Sequence, residues 1–351
     1  METTISDVAG RAGVSKSTVS LVLNGRPGVS QETRELVLRA AAELGYSTRR
    51  VASSSPATRT LLLICQRYPG RSLDVLGHVY SAYIAGVRQA CSAHGCDLVV
   101  LPVSAQMVDN GRSAADLMLN AVRADGALLL GLRSPDDRLL SLVRELDIPF
   151  VALGRHWSSA DFSCIGIDDR EALVAVVNYL VTLGHREIAL VGETLVQTFM
   201  WHRLRVQGFQ EGLARLGMGE KVDRIVLAAT PEEGVAETLT RWPQTSAIIG
   251  IYDIWAQGVV RALKARGLSV PDDVSVVGFD NINGLGLDGG EFQTELTSVD
   301  PRQPDAGRLG VEMLLRCVEE REVAHIQTTL RWQLVQRSSS APIARLQRGS
   351  G

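Results

Sequence analysis

The sequence predicts an α/β protein: an all-helical N-terminal headpiece followed by a two-lobed core of doubly wound parallel sheets. Three observations carry that prediction. Residues 1–46 hold three short amphipathic segments with helix-capping signals and no strand pattern. From residue 60 onward, short apolar runs alternate with amphipathic stretches, the rhythm of parallel strands joined by crossover helices. The charge also divides: residues 1–60 carry eight Lys and Arg against five Asp and Glu, so with the whole chain at −3 the remaining 291 residues carry −6.

In the headpiece, Thr4 followed three residues later by Asp7 is a capping box that starts the first helix, with Ile5, Val8, Ala9 and Ala12 as its inner stripe. Gly13 relieves the turn that follows. A second helix starts at Ser15. It places Val19, Val22 and Leu23 on one face and leaves Lys16, Ser17, Ser20 and Leu21 on the other or at its margin. The third segment, 30–44, opens with Ser30 as cap, buries Leu36, Val37, Ala40, Ala41 and Leu44, and stops at Gly45. Three helices in this span make a minimal helix-turn-helix core. A purely structural hairpin fits the pattern too, and the basic charge of this part favours contact with phosphate.

Arg49 to Arg59, RRVASSSPATR, is basic and serine-rich, either a linker or a helix that forms only on docking. Beyond it the runs TLLLICQ, DLVVLPV, GALLLGL and PFVAL form one strand series, and EIALVG, RIVLA, SAIIGIY and VSVVGFD a second. Two such sheets place a ligand crevice between the lobes. Arg205 and Asp280, a guanidinium fork and a carboxylate at one sheet mouth, can hold vicinal hydroxyls or an anionic group. Either can instead be a surface ion or a structural clasp of the lobe. In a chain only 5% aromatic, Phe199 and Trp201 beside that arginine suggest a stacking wall, with core packing as the alternative.

The sequence excludes other classes. It has no apolar run of 18 residues and its polar N-terminus leads straight into a helix, so neither a membrane span nor a secretory signal is expected. Five scattered cysteines without paired spacing suit reduced thiols in a cytoplasm, with no metal and no cofactor. The run GLGLDG at 284–289 satisfies G-x-G-x-x-G, yet FQTELTSV follows it where dinucleotide binding needs a helix. No G-x-S-x-G elbow occurs, and the six histidines are dispersed, so no enzyme is expected. His185 reads as a helix-end histidine near the negative pole of the dipole. Solute capture for transport would share the two-lobed body, but it predicts a signal peptide and no basic head.

The run of Ile5, Asp7, Val8, Ala9, Ala12, Gly13, Val14, Ser15, Thr18, Val19, Ser20, Leu23 and Asn24, followed by Leu44, Gly45 and Tyr46, resembles the headpiece of the lactose/galactose-repressor (LacI/GalR) family. The resemblance continues to about residue 340 through Leu183-Gly184-His185, Arg205 with Gly208-Phe209, Val276 to Asp280, and Leu296 to Val299 with Gly307. It implies a bacterial transcriptional regulator, repression being the commoner outcome, that binds a near-palindromic operator in double-stranded DNA as a homodimer or tetramer in the cytoplasm, at the nucleoid. Its effector, a sugar or related metabolite, would lie in a core like that of the periplasmic binding proteins. The implied organisation is a headpiece at 1–46, a hinge at 47–59, a core at 60–340 and an unstructured tail at 341–351. Within the core, the N-lobe takes about 60–162 and 299–326 and the C-lobe about 163–298 and 327–340, with crossings near Ser163, Ser298 and Gln327. Helices around 73–94 and 112–123 would hold the dimer.

Carried over residue by residue, Lys16 and Ser17 read base edges with Thr18 alongside them, and Leu21 offers an apolar contact. Thr4, Ser6, Ser20 and Asn24 take the backbone, Arg49 and Arg50 reach phosphate and minor groove, and Tyr46 joins the DNA-binding set. Tyr80, Phe199, Trp201, Arg205, Tyr252 and Asp280 form the effector set. The chain departs from the family at Thr48 and Arg49, which replace Pro-Asn. Ser55, followed by Pro56, stands where a wedging leucine is common. Tyr252 replaces an asparagine and Gly131 an acidic residue of some sugar binders, which leaves the effector open.

Overall fold

A computed structural model describes residues 4–23, 29–44, 58–67, 73–104, 124–155, 157, 160–197, 199–282, 295–320 and 325–343. The chain divides into two compact units, residues 1–57 and 58–351.

The first unit contains α1 (Ile5–Ala12), α2 (Lys16–Leu23) and α3 (Gln31–Glu43). The Thr4 amide and hydroxyl both donate to the Asp7 carboxylate at 2.7 Å. Those bonds, the hydroxyl first, hold the Asp7 carboxyl below the ordinary carboxylate range. Gly13 ends α1 at φ 67°, the left-handed region glycine enters without a Cβ clash. Ser15 is the cap of the second helix rather than its first residue, because its hydroxyl accepts from the Thr18 amide at 3.0 Å. Ser30 caps α3 in the same way, through Thr33 at 3.2 Å.

Val8, Ala9, Val19, Val22, Val37, Ala40 and Ala41 form the core of this unit. Leu36, expected in that core, is 46% exposed. The inward row of α3 runs Val37, Ala40, Ala41 and Leu44, and Leu36 lies about 100° around the helix from Val37. Asn24, Gly45, Tyr46, Arg49, Arg50, Ser55 and Pro56 lie outside the described residues.

In the second unit, one sheet is built from β1 (Thr60–Arg67), β2 (Asp97–Ser104), β3 (Gly126–Leu130), β4 (Phe150–Arg155), β5 (Ser163–Ile167) and β11 (Gln327–Thr329), in the order β11-β5-β4-β3-β1-β2. The other contains β6 (Ile188–Glu193), β7 (Ile225–Ala228), β8 (Ala247–Gly250), β9 (Ser275–Phe279), β10 (Thr297–Asp300) and β12 (Gln333–Val335), in the order β12-β10-β9-β8-β6-β7. The pairings are parallel except β10 with β12. Strands buried on both faces read as unbroken apolar runs, which is why Gly126–Leu130 and Ile188–Glu193 are buried at every position.

The connecting helices are α4 (Leu73–Ala93), α5 (Arg138–Arg144), α6 (Asp169–Thr182), α7 (Met200–Arg215), α8 (Pro231–Arg241), α9 (Asp253–Lys264) and α10 (Gln303–Glu319). Among the described residues no helix is long and apolar enough to cross a membrane. Burial pushes the Cys65 thiol up to about 12 and the Cys91 thiol to about 11, so both stay protonated.

The lobe crossings fall later than Ser163, Ser298 and Gln327. Ser163–Ile167 pairs with β4, and Gln327–Thr329 pairs with β5, both in the first sheet, while Thr297–Asp300 pairs with β9 in the second. The chain therefore completes each of these strands before it changes lobe. Residues 341–343, expected to belong to an unstructured tail, pack on the core. Ala341 is buried, its carbonyl accepts from His185 Nε2 at 3.1 Å, and the Ile343 amide donates to the Leu183 carbonyl at 2.9 Å. Residues 344–351, 112–123 and 284–289 lie outside the described set.

His185 stands just past the end of α6, its amide donating to the Leu180 carbonyl at 3.0 Å. It is fully buried, with Nδ1 3.0 Å from the Ser246 hydroxyl, and donation from Nε2 to Ala341 fixes the neutral tautomer. Burial pushes its pKa below the ordinary histidine value. The unfolded chain therefore binds the proton first, so this contribution is complete above about pH 6.5 and is lost as pH falls toward the folded-state value. In acid titrations of thermal unfolding, the wild-type midpoint is expected to fall below pH 6.5 more steeply than that of His185→Gln. Subtracting the two curves cancels the other titrating groups, and parallel curves would contradict the assignment.

Candidate functional site

The second unit carries a cavity of about 90 Å³ between the two sheets, lined by Val79, Tyr80, Tyr83, Leu130, Gly131, Leu132, Leu153, Gly154, Phe199, Trp201, Asp280 and Pro301. Its floor is made by the carboxyl ends of β3, β4, β9 and β10, where open α/β sheets hold ligands. Of the expected effector residues, Tyr80, Phe199, Trp201 and Asp280 line this cavity. Arg205 and Tyr252 do not.

Arg205 is 1% exposed and turned into its own lobe. Nε donates to Asp169 Oδ1 at 2.9 Å, Nη1 to the Ile251 carbonyl at 2.7 Å and Nη2 to Asp280 Oδ1 at 3.3 Å. The guanidinium also lies 4.7 Å from the Trp201 ring centre and 3.4 Å from that of Phe279. The clasp therefore prevails over the open fork in this structure: its donors point at β9, α6 and the end of β8. Asp169, which the sequence reading passed over, completes the clasp from the first turn of α6. The Asp168-Asp169 pair ahead of an apolar-periodic helix was the available signal, since one carboxylate caps the helix and the next is left over.

Tyr252 is also turned inward. Its hydroxyl donates to Glu193 Oε2 at 2.6 Å, and its ring stands edge-on to Trp201 at 6.2 Å. It supports the stacking wall from behind. Tyr83, also missed, joins Tyr80 on the cavity face of α4, three residues on, a spacing that helical periodicity makes readable.

Asp280 sits at φ 100° and Asn281 at φ 48°, a strained turn directly after β9. Several bonds hold it: Asn281 N to Ser298 Oγ at 3.1 Å, Asn281 Nδ2 to Asp300 Oδ2 at 3.0 Å, Arg337 Nη2 to Asn281 Oδ1 at 2.7 Å and Gln303 Nε2 to the Asp280 carbonyl at 2.8 Å. Beneath it the Asp253 carboxylate accepts from Ser298 Oγ at 2.6 Å and the Ile282 amide at 2.7 Å, while burial pushes its pKa up to about 8. The cavity carboxylate is thus wired to the Asp300–Gln303 segment, where the chain crosses between lobes. A second tie joins the lobes at the other rim, where the Met200 amide donates to the Arg133 carbonyl at 3.2 Å and Met200 packs on the first lobe's core.

Gly131 has φ 93°, and a Cβ there would collide with the Tyr80 hydroxyl, which donates to the Gln66 carbonyl at 2.8 Å. Tyr80 thus occupies the room a side chain at 131 would need. Among the described residues no cluster of His, Cys, Asp and Glu could hold a metal ion.

In the first unit, Lys16 and Ser17 are exposed at the start of α2, with Ser20 and Leu21 partly exposed one turn on. Ser17 Oγ lies 2.7 Å and Thr18 Oγ1 2.8 Å from Ser15 Oγ, so the cap orders this end of the helix. Thr4 and the partly exposed Ser6 sit at the start of α1. Arg11 is tied to Glu43 at 2.6 Å, joining α1 to α3.

Comparison with known proteins covers both units. Residues 4–49 match the family described as bacterial regulatory proteins, lacI family, and residues 177–340 match a periplasmic binding protein-like domain. The HTH-type transcriptional repressor PurR of Proteus mirabilis (strain HI4320) is 31% identical over 331 residues, 92% of either chain. The HTH-type transcriptional regulator RegA of Clostridium saccharobutylicum is 26% identical, covering 97% of this chain and all of that one. Among solved structures, the transcriptional regulator CelR–cellobiose complex aligns with a TM-score of 0.68 at 28% identity, over 96% of this chain and 100% of that one. The lac repressor dimer bound to operator and the anti-inducer ONPF aligns at 0.64 and 26%, over 97% and 100%.

Proposed function

The chain belongs to the lacI family of bacterial regulatory proteins, and from that premise we propose that it is a DNA-binding transcriptional regulator, acting as a repressor, whose operator affinity is set by a small molecule held between the core lobes. The headpiece at 1–46 carries the DNA contact, the segment 47–59 serves as the hinge, and the core from 60 senses the ligand. The observation that carries the reading is the face of α2. Lys16 and Ser17 stand exposed at the start of a helix whose opposite side, Val19 and Val22, is locked into the headpiece core. A helix so mounted can enter a major groove N-terminus first.

We assign base edges to Lys16, Ser17 and Leu21, with Thr18 alongside them, and backbone contacts to Thr4, Ser6 and Ser20, with Asn24, Tyr46, Arg49 and Arg50 extending the footprint. The working unit is a homodimer facing a near-palindromic site in the cytoplasm. Its interface includes α4 and the neighbouring edge strand β2, whose Val99 and Val100 are 41% and 42% exposed. Ligand at the cavity would act on the Asp280 turn, and through Asp300 and Gln303 on the crossing segment, so that lobe closure and hinge state change together. A tenfold to hundredfold change in operator affinity needs only about 1.4 to 2.8 kcal/mol of differential affinity.

Selection of duplexes from a random pool by the full-length protein tests this. Near-palindromic sites are expected to enrich, with an affinity that falls steeply as salt rises. Absence of any enriched duplex at low ionic strength would defeat the proposal.

A further inference from the structure

Two of the thiols that look scattered in the sequence are brought together at the end of α4. The helix closes in a Schellman turn: the Cys96 amide donates to the Cys91 carbonyl at 2.8 Å, the Gly95 amide donates to that of Ser92 at 3.3 Å, and Gly95 sits at φ 63°. That motif sets the side chains at 91 and 96 against each other. With a 2.8 Å hydrogen bond joining them, standard bond lengths keep the two Cα atoms within about 6.7 Å, inside the span that a disulfide bridges. Cys91 is 2% exposed in the apolar cluster beneath α4, and Cys96 packs on the same cluster while staying partly open to solvent.

The turn also borders the point where the segment 47–59 enters the core. Asp97, the next residue, donates its amide to the Arg59 carbonyl at 2.8 Å and opens β2 opposite Thr60. The Arg59 guanidinium bonds Glu319 at 2.8 Å. Burial raises both thiols, Cys91 to about 11 with the facing Cys96 adding to the rise. At Cys96 the Arg59 guanidinium opposes burial, while Asp125 and Asp97 add to it. The outer thiol, Cys96, therefore reacts first, and slowly.

We propose that Cys91 and Cys96 form an oxidation site: hydrogen peroxide joins them in an intramolecular disulfide that displaces the chain at Arg59 and weakens operator binding, an effect that rests on the regulator reading above. The Cys96 thiolate attacks one peroxide oxygen, the O–O bond breaks, and the departing hydroxide takes up the proton that the thiol released. The Cys91 sulfur then attacks the Cys96 sulfenic sulfur, the S–O bond breaks, and hydroxide leaves as water with the Cys91 proton. Two thiols have lost two electrons, and the peroxide has become two waters. A dithiol reverses the bond by exchange. The bond draws the sulfurs closer than contact. Because Cys91 is anchored in the core, the movement falls on Cys96 and passes to Asp97 and the Arg59 carbonyl it holds.

Treating the full-length protein with hydrogen peroxide, alkylating it under denaturing conditions and digesting it with trypsin tests this. Residues 89–112 form one tryptic peptide that holds both of these cysteines and no other. It is expected to escape alkylation and to weigh two hydrogens less than the reduced peptide, and dithiothreitol should restore it. In Cys91→Ala, Cys96 should carry added oxygen instead. Should that variant fail to fold, Cys96→Ser decides, with no bridged peptide expected. Affinity for the duplexes enriched above is expected to fall by about fivefold or more on oxidation, to recover with dithiothreitol and to stay constant in Cys96→Ser. An unbridged wild-type peptide overturns the proposal, as does a bridged peptide with operator affinity unchanged. Peptide mass is scored without DNA, so a failure of the operator reading shows in the untreated protein and stays distinct.

Discussion

Replacing Arg205 with alanine is expected to cost the core about 3–5 kcal/mol of stability, the range for breaking a buried ion pair from one side. The substitution leaves the Asp169 carboxylate, whose side chain is 0% exposed, without its guanidinium and removes the donor from the Ile251 carbonyl. It also removes the cation stacked on Phe279 and Trp201. Arg205→Lys recovers little, because one ammonium cannot reproduce three donors aimed at α6, β8 and β9. Adding Asp169→Asn to Arg205→Ala should restore part of the loss, since it removes the stranded charge. Urea unfolding of the four proteins checks this. A variant with near-wild-type stability that has lost ligand response would mean that Arg205 turns outward to the ligand, as family resemblance alone implies, and that the inward clasp is not its working state.

Arg205 shows where sequence reasoning stops. Its importance and its partner Asp280, 75 residues on, were legible because the family resemblance sets both at one sheet mouth. Its direction was not. Whether a guanidinium faces ligand or core depends on Asp169, 36 residues earlier, arriving at the same point from another helix. The core strands were legible for the opposite reason: burial on both faces writes an apolar run that needs no partner to be recognised. β5, β10, β11 and β12 escaped the two strand series because SCIGI and TSVD are short and mixed, and because QTT and QLV are edge strands with partly exposed side chains. The crossing points inherited that omission. In the headpiece the caps at Thr4 and Ser30 were readable from the sequence, whereas Ser15 read as the first residue of its helix although it is the cap, and Leu36 was misplaced because a run of adjacent apolar residues does not say which one lies on the inner row.

Lys16→Ala is expected to relax base preference at one position in each half-site, losing about 1–3 kcal/mol of discrimination there. Lys16 is exposed on the first turn of α2, next to a cap that fixes the helix end, and its side chain stabilises nothing in the headpiece core. It helps to hold the Asp7 carboxyl low, behind the stronger effect of Thr4. Thermal unfolding should therefore be unchanged, in contrast to Arg11, whose bond to Glu43 joins two helices. Two readouts separate the possible roles. A base-reading lysine, once removed, flattens the preference profile at a single base pair and spares the rest. A phosphate-binding lysine lowers affinity for every duplex alike and reduces the salt slope by about one. Uniform weakening with an intact profile would move Lys16 to the backbone set and leave Ser17 and Leu21 to carry readout from this helix.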